Sequence, residues 1–284
     1  MKTVASGGAA LAVTAFLAMT ATLSKATISP HVGSGKAAPN IIFIMADDLG
    51  WGEVGAYPSE SEHGRISTPN LDKFAAEGMR FTQAYSGYTV CAPSRTTLFT
   101  GRHSGQFQKA NFSGTSLRPG EAVTVAELLK QEGYRTAMVG KAAPLTSPLE
   151  QGFDYFIGQV SQSECHNMYP KSIDFGTGTS NFPLPLNAKD IRSRENCMAN
   201  PEEYNYTVDI TQSRSLSWLK KTVSESKSEP FFLYMSFTVP HAGGWGSPPK
   251  NPESGAPVPS DGQYADESWP DVEKDHAAVI TYLD

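Results

Sequence analysis

The stretch Ile-Ile-Phe-Ile-Met-Ala-Asp-Asp, residues 41–48, decides the fold class of this chain. Its first six residues are apolar and rich in β-branched side chains, the pattern of a strand that is buried on both faces. The run ends in two adjacent aspartates, Asp47 and Asp48. Because strands of this kind belong to parallel sheets covered by helices, the sequence that follows is expected to alternate helices and strands.

The downstream segments show this alternation. Thr68 and Pro69 supply an N-cap and a first-turn proline for a helix that Gly78 closes. The other predicted elements are a strand over residues 79–85, a helix with a capping box from Thr124 to Gly133, a strand over 134–139, a helix over 208–223 with Leu216, Leu219 and Val223 on one face, and a buried strand over 231–237. The sequence therefore predicts an α/β domain with a largely parallel sheet.

Length and charge limit the partners of such a domain. The chain has 284 residues, of which 39% are hydrophobic, enough for one sizeable core. Its 23 Lys and Arg residues against 29 Asp and Glu residues give a net charge of -6. Nucleic-acid-binding proteins usually carry a basic excess, so no nucleic-acid partner is expected.

The N-terminus is typical of an exported protein. Residues 9–19 form an apolar run after Lys2 that is too short to span a bilayer comfortably. This pattern predicts a signal peptide over residues 1–26, with an uncleaved anchor or a disordered tail as the alternative. Residues 27–39 are predicted as a linker, and residues 40–284 as the folded domain. We expect a protein that is secreted, retained in the secretory pathway or lysosome, or periplasmic, with no stable membrane span.

Polar residues follow three of the predicted strands. Asp47 and Asp48, Lys141, and His241 all lie at or shortly after strand ends. The carboxyl ends of parallel strands gather at one edge of a sheet, so we expect these side chains to converge. Two carboxylates about 4 Å apart repel by roughly 4 kcal/mol at an effective dielectric near 20, a cost that a bound hard cation removes. The alternatives are aspartates that point apart and a solvated Lys141.

The stretch TVCAPSRTTLFTGR, residues 89–102, places a cysteine at the start of a predicted helix. Pro93 suits the first turn and Gly101 the end, so Cys91 is expected at or just before the amino end. Free N–H groups and the helix dipole favour anions there, and Arg95 could hold an oxyanion. Cys91 is therefore a candidate nucleophile, although a buried structural cysteine fits the pattern equally well.

The segment CAPSRTTLFTGR resembles the signature of the sulfatase family, Cys-x-Pro-x-Arg followed by Thr-Gly-Arg. Further segments resemble that family in the same order: PNIIFIMADDLGWGEVGAY, STPNLDKFAAEGMRFTQAY, VTVAELLKQEGYRTAMVGK, GFDYFIG and PFFLYMSFTVPH. The resemblance implies an alkaline-phosphatase-like α/β sandwich with a largely parallel central sheet flanked by helices. It also implies a sulfuric ester hydrolase that acts on a sulfated small molecule or carbohydrate.

The resemblance implies a modified nucleophile and a metal ion. In this family, a formylglycine-generating enzyme recognises Cys-x-Pro-x-Arg and converts the cysteine to formylglycine, so Cys91 is expected to be modified. One hydroxyl of the hydrated aldehyde attacks sulfur, and deprotonation of the second expels sulfate. Asp47, Asp48 and the modified Cys91 are implied ligands of one divalent cation, usually Ca²⁺.

Further roles follow from the same resemblance. Arg95 is expected to orient the nucleophilic oxygen, Lys141 to contact the sulfate, and His241 to contact the sulfate or protonate the leaving alkoxide. Many family members continue the lysine segment as Gly-Lys-Trp-His, whereas Ala142 and Ala143 follow Lys141 here. His166 is our candidate for the missing histidine, and a surface or structural histidine is the alternative.

Two questions stay open at the level of sequence. The family's second metal-binding pair, Asp-Asn, has no counterpart before Asp284, so we expect an N-terminal part of a sulfatase, incomplete at its C-terminus and inactive by itself. The alternatives are a formylglycine-dependent phosphodiesterase or phosphonate hydrolase and a catalytically inactive homologue. In an oxidising compartment Cys165 and Cys197 could form a disulfide.

Overall fold

The computed structural model describes residues 38–57, 66–107, 113–178, 180–186, 205–242 and 258–284. The predicted signal peptide, nearly all of the predicted linker and Cys197 lie outside these ranges. Among the residues described, no helix is both long enough and apolar enough to cross a membrane.

A sheet of six strands organises the described part of the chain. The strands are β1 (Ile41–Asp47), β2 (Arg135–Lys141), β3 (Tyr155–Gln159), β4 (Ser172–Thr177), β5 (Ser180–Pro185) and β6 (Phe231–Pro240). Their order across the sheet is β1-β6-β2-β3-β4-β5. The pairs β1/β6, β6/β2 and β2/β3 are parallel, whereas β3/β4 and β4/β5 are antiparallel. The predicted α/β class with a largely parallel sheet is confirmed.

Helices cover both faces of this sheet. These covering helices are α2 (Cys91–Thr100), α3 (Val125–Gln131), α4 (Thr207–Glu225) and α5 (Asp271–Leu283), whereas α1 (Pro69–Glu77) has no buried residue. Short 3-10 turns lie at Trp51–Glu53, Ser104–Gln106, Glu164–His166 and Gly262–Tyr264. Alternate residues of β6 enter two separate apolar clusters. Leu233 packs with Trp218 of α4 and Ala277 of α5, while Phe232 packs with Phe99 of α2 and Ala126 of α3. Because successive strand residues face opposite sides, the two clusters lie on the two faces.

Local sequence signals predicted several helix ends correctly. The Thr124 hydroxyl accepts from the Glu127 N–H at 3.1 Å, and the Glu127 carboxylate accepts from the Thr124 N–H at 2.7 Å, which is the predicted capping box. Gly101 ends α2 in the left-handed conformation, with φ of 62°. These capping signals depend only on neighbouring residues, so they can be recognised from the sequence alone.

The start of α1 is capped differently from the prediction. Thr68 occupies the N-cap position, but its side chain makes no capping hydrogen bond. The carboxylate of Asp284, which follows α5, instead accepts from the backbone N–H groups of Asn70 at 2.9 Å and Leu71 at 2.7 Å. A negative charge at a helix N-terminus is stabilising. This contact therefore ties α1 to the end of α5, a link that local sequence could not reveal.

Strand β1 is not buried on both faces as predicted. Ile42 is 49% exposed and Ile44 62% exposed, whereas Ile41, Phe43 and Met45 pack against the cluster around Phe232. Among the described residues β1 pairs on one side only, with β6, so it is an edge strand. An apolar run predicts a strand but cannot tell how many of its faces are covered.

The strand predicted over residues 79–85 is absent from the structure. That segment follows α1 as irregular chain, and Met79, Phe81 and Tyr85 are exposed. No described strand pairs with it. A β-favouring composition is insufficient here because a strand requires a hydrogen-bonding partner.

The predicted apolar face of α4 is correct only in part, since Leu219 packs against the apolar cluster that contains Leu233. Leu216 and Val223 are half exposed, and the buried side chains are Val208, Thr211, Ser215, Trp218 and Thr222. The smaller polar residues allow close approach to the sheet, since a Cβ placed on Gly140 of β2 would lie 3.3 Å from the Thr211 hydroxyl. Close packing, rather than hydrophobicity alone, selects the buried face of this helix.

We expect Gly140→Ala to destabilise the protein strongly. Gly140 has φ of +103°, and a Cβ there would lie 2.1 Å from the Ser236 carbonyl oxygen of β6. The substitution should lower the free energy of unfolding by about 3 kcal/mol or more. Gly133→Ala is the control, because Gly133 also has a positive φ, +84°, but no atom lies within 4 Å of the position that its Cβ would take. Gly133→Ala should lower the free energy of unfolding by about 1 kcal/mol.

Urea unfolding of both variants, expressed from the natural gene, measures this difference. Equal losses at the two glycines would show that backbone strain alone, and not the clash with β6, limits position 140.

Candidate active site

The register of the sheet brings the predicted strand-end residues together. Asp47 of β1 pairs with Pro240 of β6, so Asp48 and His241 are the next residues on adjacent strands. The Nε2 atom of His241 lies 3.4 Å from an Asp48 carboxylate oxygen. Lys141 ends β2 one residue after the Gly140–Ser236 pair. All four polar groups therefore lie at the same edge of the sheet.

Asp47 is the centre of this cluster. It is 4% exposed, and one carboxylate oxygen lies 2.5 Å from Nζ of Lys141 while the other lies 3.2 Å from the Arg95 guanidinium. Burial alone raises the pKa of Asp47, but the charges of Arg95 and Lys141 outweigh it and hold the pKa below its usual value. Asp47 is consequently ionised at neutral pH and paired with two cations.

Arg95 is held by two residues that sequence reasoning missed. Its guanidinium donates to the Ser236 hydroxyl at 2.5 Å and to the Tyr234 hydroxyl at 3.2 Å. The Ser236 hydroxyl in turn donates to the Lys141 carbonyl oxygen at 2.7 Å. Tyr234 and Ser236 are spaced by two in an otherwise apolar strand, so they face the same side of the sheet. That spacing is the signal that could have identified them.

His166 reaches the site from the Glu164–His166 turn. The side chain is buried, and its Nε2 lies 3.0 Å from Nζ of Lys141. Burial and the nearby Lys141 and His241 lower the pKa of His166 to about 4. The ring is therefore neutral at pH 7 and accepts from the lysine. Its ring centroid lies 4.3 Å from that of His241, and its exposure of only 2% excludes a surface histidine.

Cys91 lies at the amino end of α2, as predicted, although the helix begins at Cys91 itself rather than near Pro93. It lines a cavity of about 240 Å³ together with Asp47, Asp48 and Arg95. The ligand atoms of Asp47, Cys91 and His166 lie within 4.8 Å of one another. The candidate nucleophile and the candidate metal ligands thus share one cavity.

The donor set is suitable for a divalent cation. Asp47 and Asp48 line the cavity, and carboxylate oxygens are the ligands that Ca²⁺ prefers. Asp48 is exposed and has φ of 64°, unusual for a residue other than glycine. Two carboxylates supply at most four of the about six to eight oxygens that Ca²⁺ takes, so a complete shell needs further oxygen ligands.

Cys165 is a free, buried thiol in the structure. Its Sγ donates to the Gln159 carbonyl oxygen at 3.0 Å, and burial raises its pKa. Cys197, with which it could form a disulfide, lies outside the described residues. The pairing of these two cysteines therefore stays a prediction.

Fold and site together define an α/β protein with a buried, positively charged centre at the carboxyl edge of its sheet. Comparison with known proteins identifies the family. The Sulfatase family model matches residues 39–282, and the chain belongs to the sulfatase family.

Individual relatives support this assignment. Arylsulfatase A of Homo sapiens is 39% identical over 218 residues, covering 69% of this chain and 40% of that protein. Arylsulfatase G of Canis lupus familiaris is 43% identical over 234 residues, covering 72% of this chain and 40% of that protein. The chain therefore spans about two fifths of the length of these relatives.

Solved structures show the same fold. The PsFucS1 sulfatase from Pseudoalteromonas sp. superposes with a TM-score of 0.57 at 25% identity, covering 86% of this chain and 51% of that one. BT4656, solved in complex with its substrate D-glucosamine-2-N,6-O-disulfate, gives a TM-score of 0.54 at 27% identity, covering 72% and 35%. The alkaline-phosphatase-like fold implied by the sequence is confirmed.

A second ion pair anchors the loop that follows the aspartates. One oxygen of the Glu53 carboxylate accepts from the Gly50 N–H at 2.5 Å, and the other contacts Nε2 of His276 in α5. This hydrogen bond to Glu53 raises the pKa of His276 above its usual value, with burial opposing and Glu273 assisting. The pair therefore links α5 to the loop containing Asp48.

We expect His276→Gln to destabilise the protein at acidic pH only. Because the folded-state pKa is raised, the stabilisation is fully present below about pH 6.5, the unfolded value, and is lost as the pH rises through the folded-state pKa. The loss should be about 0.5 kcal/mol at pH 5.5, since the pair is partly exposed. Unfolding curves at pH 5.5 and pH 9 measure it, and a loss that is independent of pH would contradict it.

Proposed function

We propose that this protein is a sulfuric ester hydrolase that releases sulfate from an organic sulfate ester. The observation that supports this most directly is the charge of the site. Arg95 and Lys141 are both buried, yet they share the single carboxylate of Asp47, and His166 is neutral. One positive charge is left uncompensated within this group, and isolated buried charges are costly. A bound sulfate ester, which is an anion, would balance it.

The nucleophile that we propose is formylglycine derived from Cys91. The hydrated aldehyde supplies the hydroxyl that attacks sulfur and later releases sulfate. Pro93 and Arg95 are buried in the folded chain. A formylglycine-generating enzyme that reads both residues must therefore meet the motif before the chain folds. That enzyme is the partner we propose for residues 91–95.

The other residues have roles that follow from their positions. Arg95, which lines the cavity, and Lys141, which contacts Asp47, bind and orient the sulfate group, and His166 accepts from Nζ of Lys141 to fix its direction. His241 lies beside the exposed Asp48, where it can protonate the leaving alkoxide. A divalent cation held by Asp47 and Asp48, Ca²⁺ in our proposal, would polarise the sulfate oxygens.

The substrate class and location extend the same proposal. The relatives include an arylsulfatase and a protein solved with a disulfated glucosamine, so we propose a sulfated small molecule or carbohydrate as the substrate. The predicted signal peptide supports a location outside the cytoplasm, as a secreted, lysosomal or periplasmic enzyme. A signal peptide, a linker and a catalytic domain from residue 40 remain our proposed domain organisation.

We expect Cys91→Ala to abolish hydrolysis of an aryl sulfate. The protein is expressed from its natural gene together with a formylglycine-generating enzyme, and turnover of 4-nitrophenyl sulfate is measured with added Ca²⁺. The loss should exceed about a thousandfold, because the nucleophile is removed. Ser213→Ala, an exposed position on α4, is the control and should retain full activity.

Two further measurements separate this proposal from its alternatives. Mass spectrometry of the Cys91 peptide should show that the thiol is replaced by an aldehyde, and an unmodified thiol would favour an inactive homologue. Comparison of kcat/KM for 4-nitrophenyl sulfate and bis(4-nitrophenyl) phosphate on one preparation should favour the sulfate. A preference for the phosphate diester would instead identify a phosphodiesterase.

A further inference from the structure

We propose that Gln162 is a further catalytic residue, whose side-chain amide donates a hydrogen bond to the nucleophile at position 91. Its Nε2 lies 3.5 Å from Sγ of Cys91, within the range for a hydrogen bond to sulfur. Sγ marks the place where the reacting oxygen of a modified Cys91 would lie. This inference rests on the proposed function, and it adds a residue that neither the Cys-x-Pro-x-Arg motif nor the strand ends indicate.

The segment that carries Gln162 is held in place on both sides. Before it, the Val160 N–H donates to the Asp174 carboxylate of β4 at 3.2 Å. After it, the Cys165 N–H donates to the Ser161 carbonyl oxygen at 2.9 Å, which closes a turn around Gln162. The turn directs the exposed Gln162 side chain toward Cys91 rather than into solvent alone.

The same turn connects the nucleophile to His166. The amide of Gln159, at the end of β3, donates to the Glu164 carbonyl oxygen at 2.5 Å and to that of Asn167 at 3.1 Å, which fixes the turn containing His166. Gln162 and His166 therefore lie in one turn, and Gln159 at the end of β3 fixes its position. A shift of this turn would move both the amide donor and the histidine.

An uncharged donor is chemically suited to this position. Arg95 and Lys141 already place two buried cations against Asp47. Gln162 approaches Cys91 from the exposed side, where an amide can donate to the nucleophilic oxygen or to a sulfate oxygen without adding charge. A donor that orients the attacking oxygen toward sulfur affects the chemical step more than it affects substrate binding.

The first experiment measures kinetics on the converted protein. Gln162→Ala should lower kcat for 4-nitrophenyl sulfate by about tenfold to a hundredfold with little change in KM, because one donor is lost. Gln162→Glu, nearly the same shape, should lose more, because it places a carboxylate beside an anion. Ser163→Ala, the exposed neighbour in the same turn, is the matched control and should stay within about twofold of wild type.

The second experiment needs no sulfatase activity. Protein produced without a formylglycine-generating enzyme retains the thiol at position 91, and its alkylation by iodoacetamide is followed by mass spectrometry of the Cys91 peptide. Gln162→Glu places a carboxylate beside the anionic sulfur that attacks iodoacetamide, so it should slow alkylation several-fold relative to wild type and Ser163→Ala. Equal alkylation rates would overturn the contact between Gln162 and Cys91.

The two experiments separate the possible failures. Wild-type protein that is converted to the aldehyde but hydrolyses no sulfate ester would overturn the proposed function, and the catalytic role of Gln162 with it. Active wild type with an unaffected Gln162→Ala variant would overturn the role of Gln162 alone. Reduced kcat in both Gln162 variants, together with slowed alkylation in Gln162→Glu, would support the inference.

Discussion

The buried carboxylate of Asp47 is the constraint on which the rest of the site depends. It ends β1, and its two oxygens face Arg95 from α2 and Lys141 from β2. Isolated buried charges are costly, so the burial of Arg95 and of Lys141 depends on the carboxylate of Asp47. Ser236 extends the constraint to β6 by contacting Arg95 and the Lys141 carbonyl. Four elements therefore pack correctly only when this group is complete.

Glycine at two adjacent strand positions allows that packing. A Cβ on Gly140 would clash with the Ser236 carbonyl of β6, and one on Gly158 of β3 would lie 1.9 Å from the Gly140 carbonyl oxygen. One residue before Lys141, the backbones of β6, β2 and β3 therefore leave no space for a side chain at either glycine. The cluster of Asp47, Arg95 and Lys141 lies next to these glycines, at the carboxyl edge of the sheet, where parallel strands leave room for polar side chains. Gly140 and Gly158 consequently allow the strand packing that brings the charged side chains of the site together.

The sequence alone was sufficient to predict those features that depend on neighbouring residues or on family motifs. Capping signals and apolar runs predicted α1 to α4 and the strands that end at or just before Asp47, Lys141 and His241, and the resemblance to sulfatases added His166. Helix α5 and strands β3, β4 and β5 were not predicted. The features that were missed depend on tertiary packing between segments distant in sequence. The exposed face of β1, the unpaired segment 79–85 and the buried side of α4 follow from neighbours distant in sequence. Gln162 was missed for the same reason, because a glutamine in a loop has no pattern that points to a cysteine 71 residues away.

The buried and the exposed residues around the cavity have different roles in substrate binding. Arg95, which lines the cavity, is buried, and so is Lys141 in contact with Asp47, whereas Asp48 and Tyr88 in the same lining are exposed. A sulfate ester bound as we propose would direct its charged end toward the buried cations and leave its organic part near the exposed residues. Contacts with the buried cations are the same for every sulfate ester and cannot discriminate among them. Selectivity must then arise from the exposed rim, where substitutions leave the buried charges undisturbed.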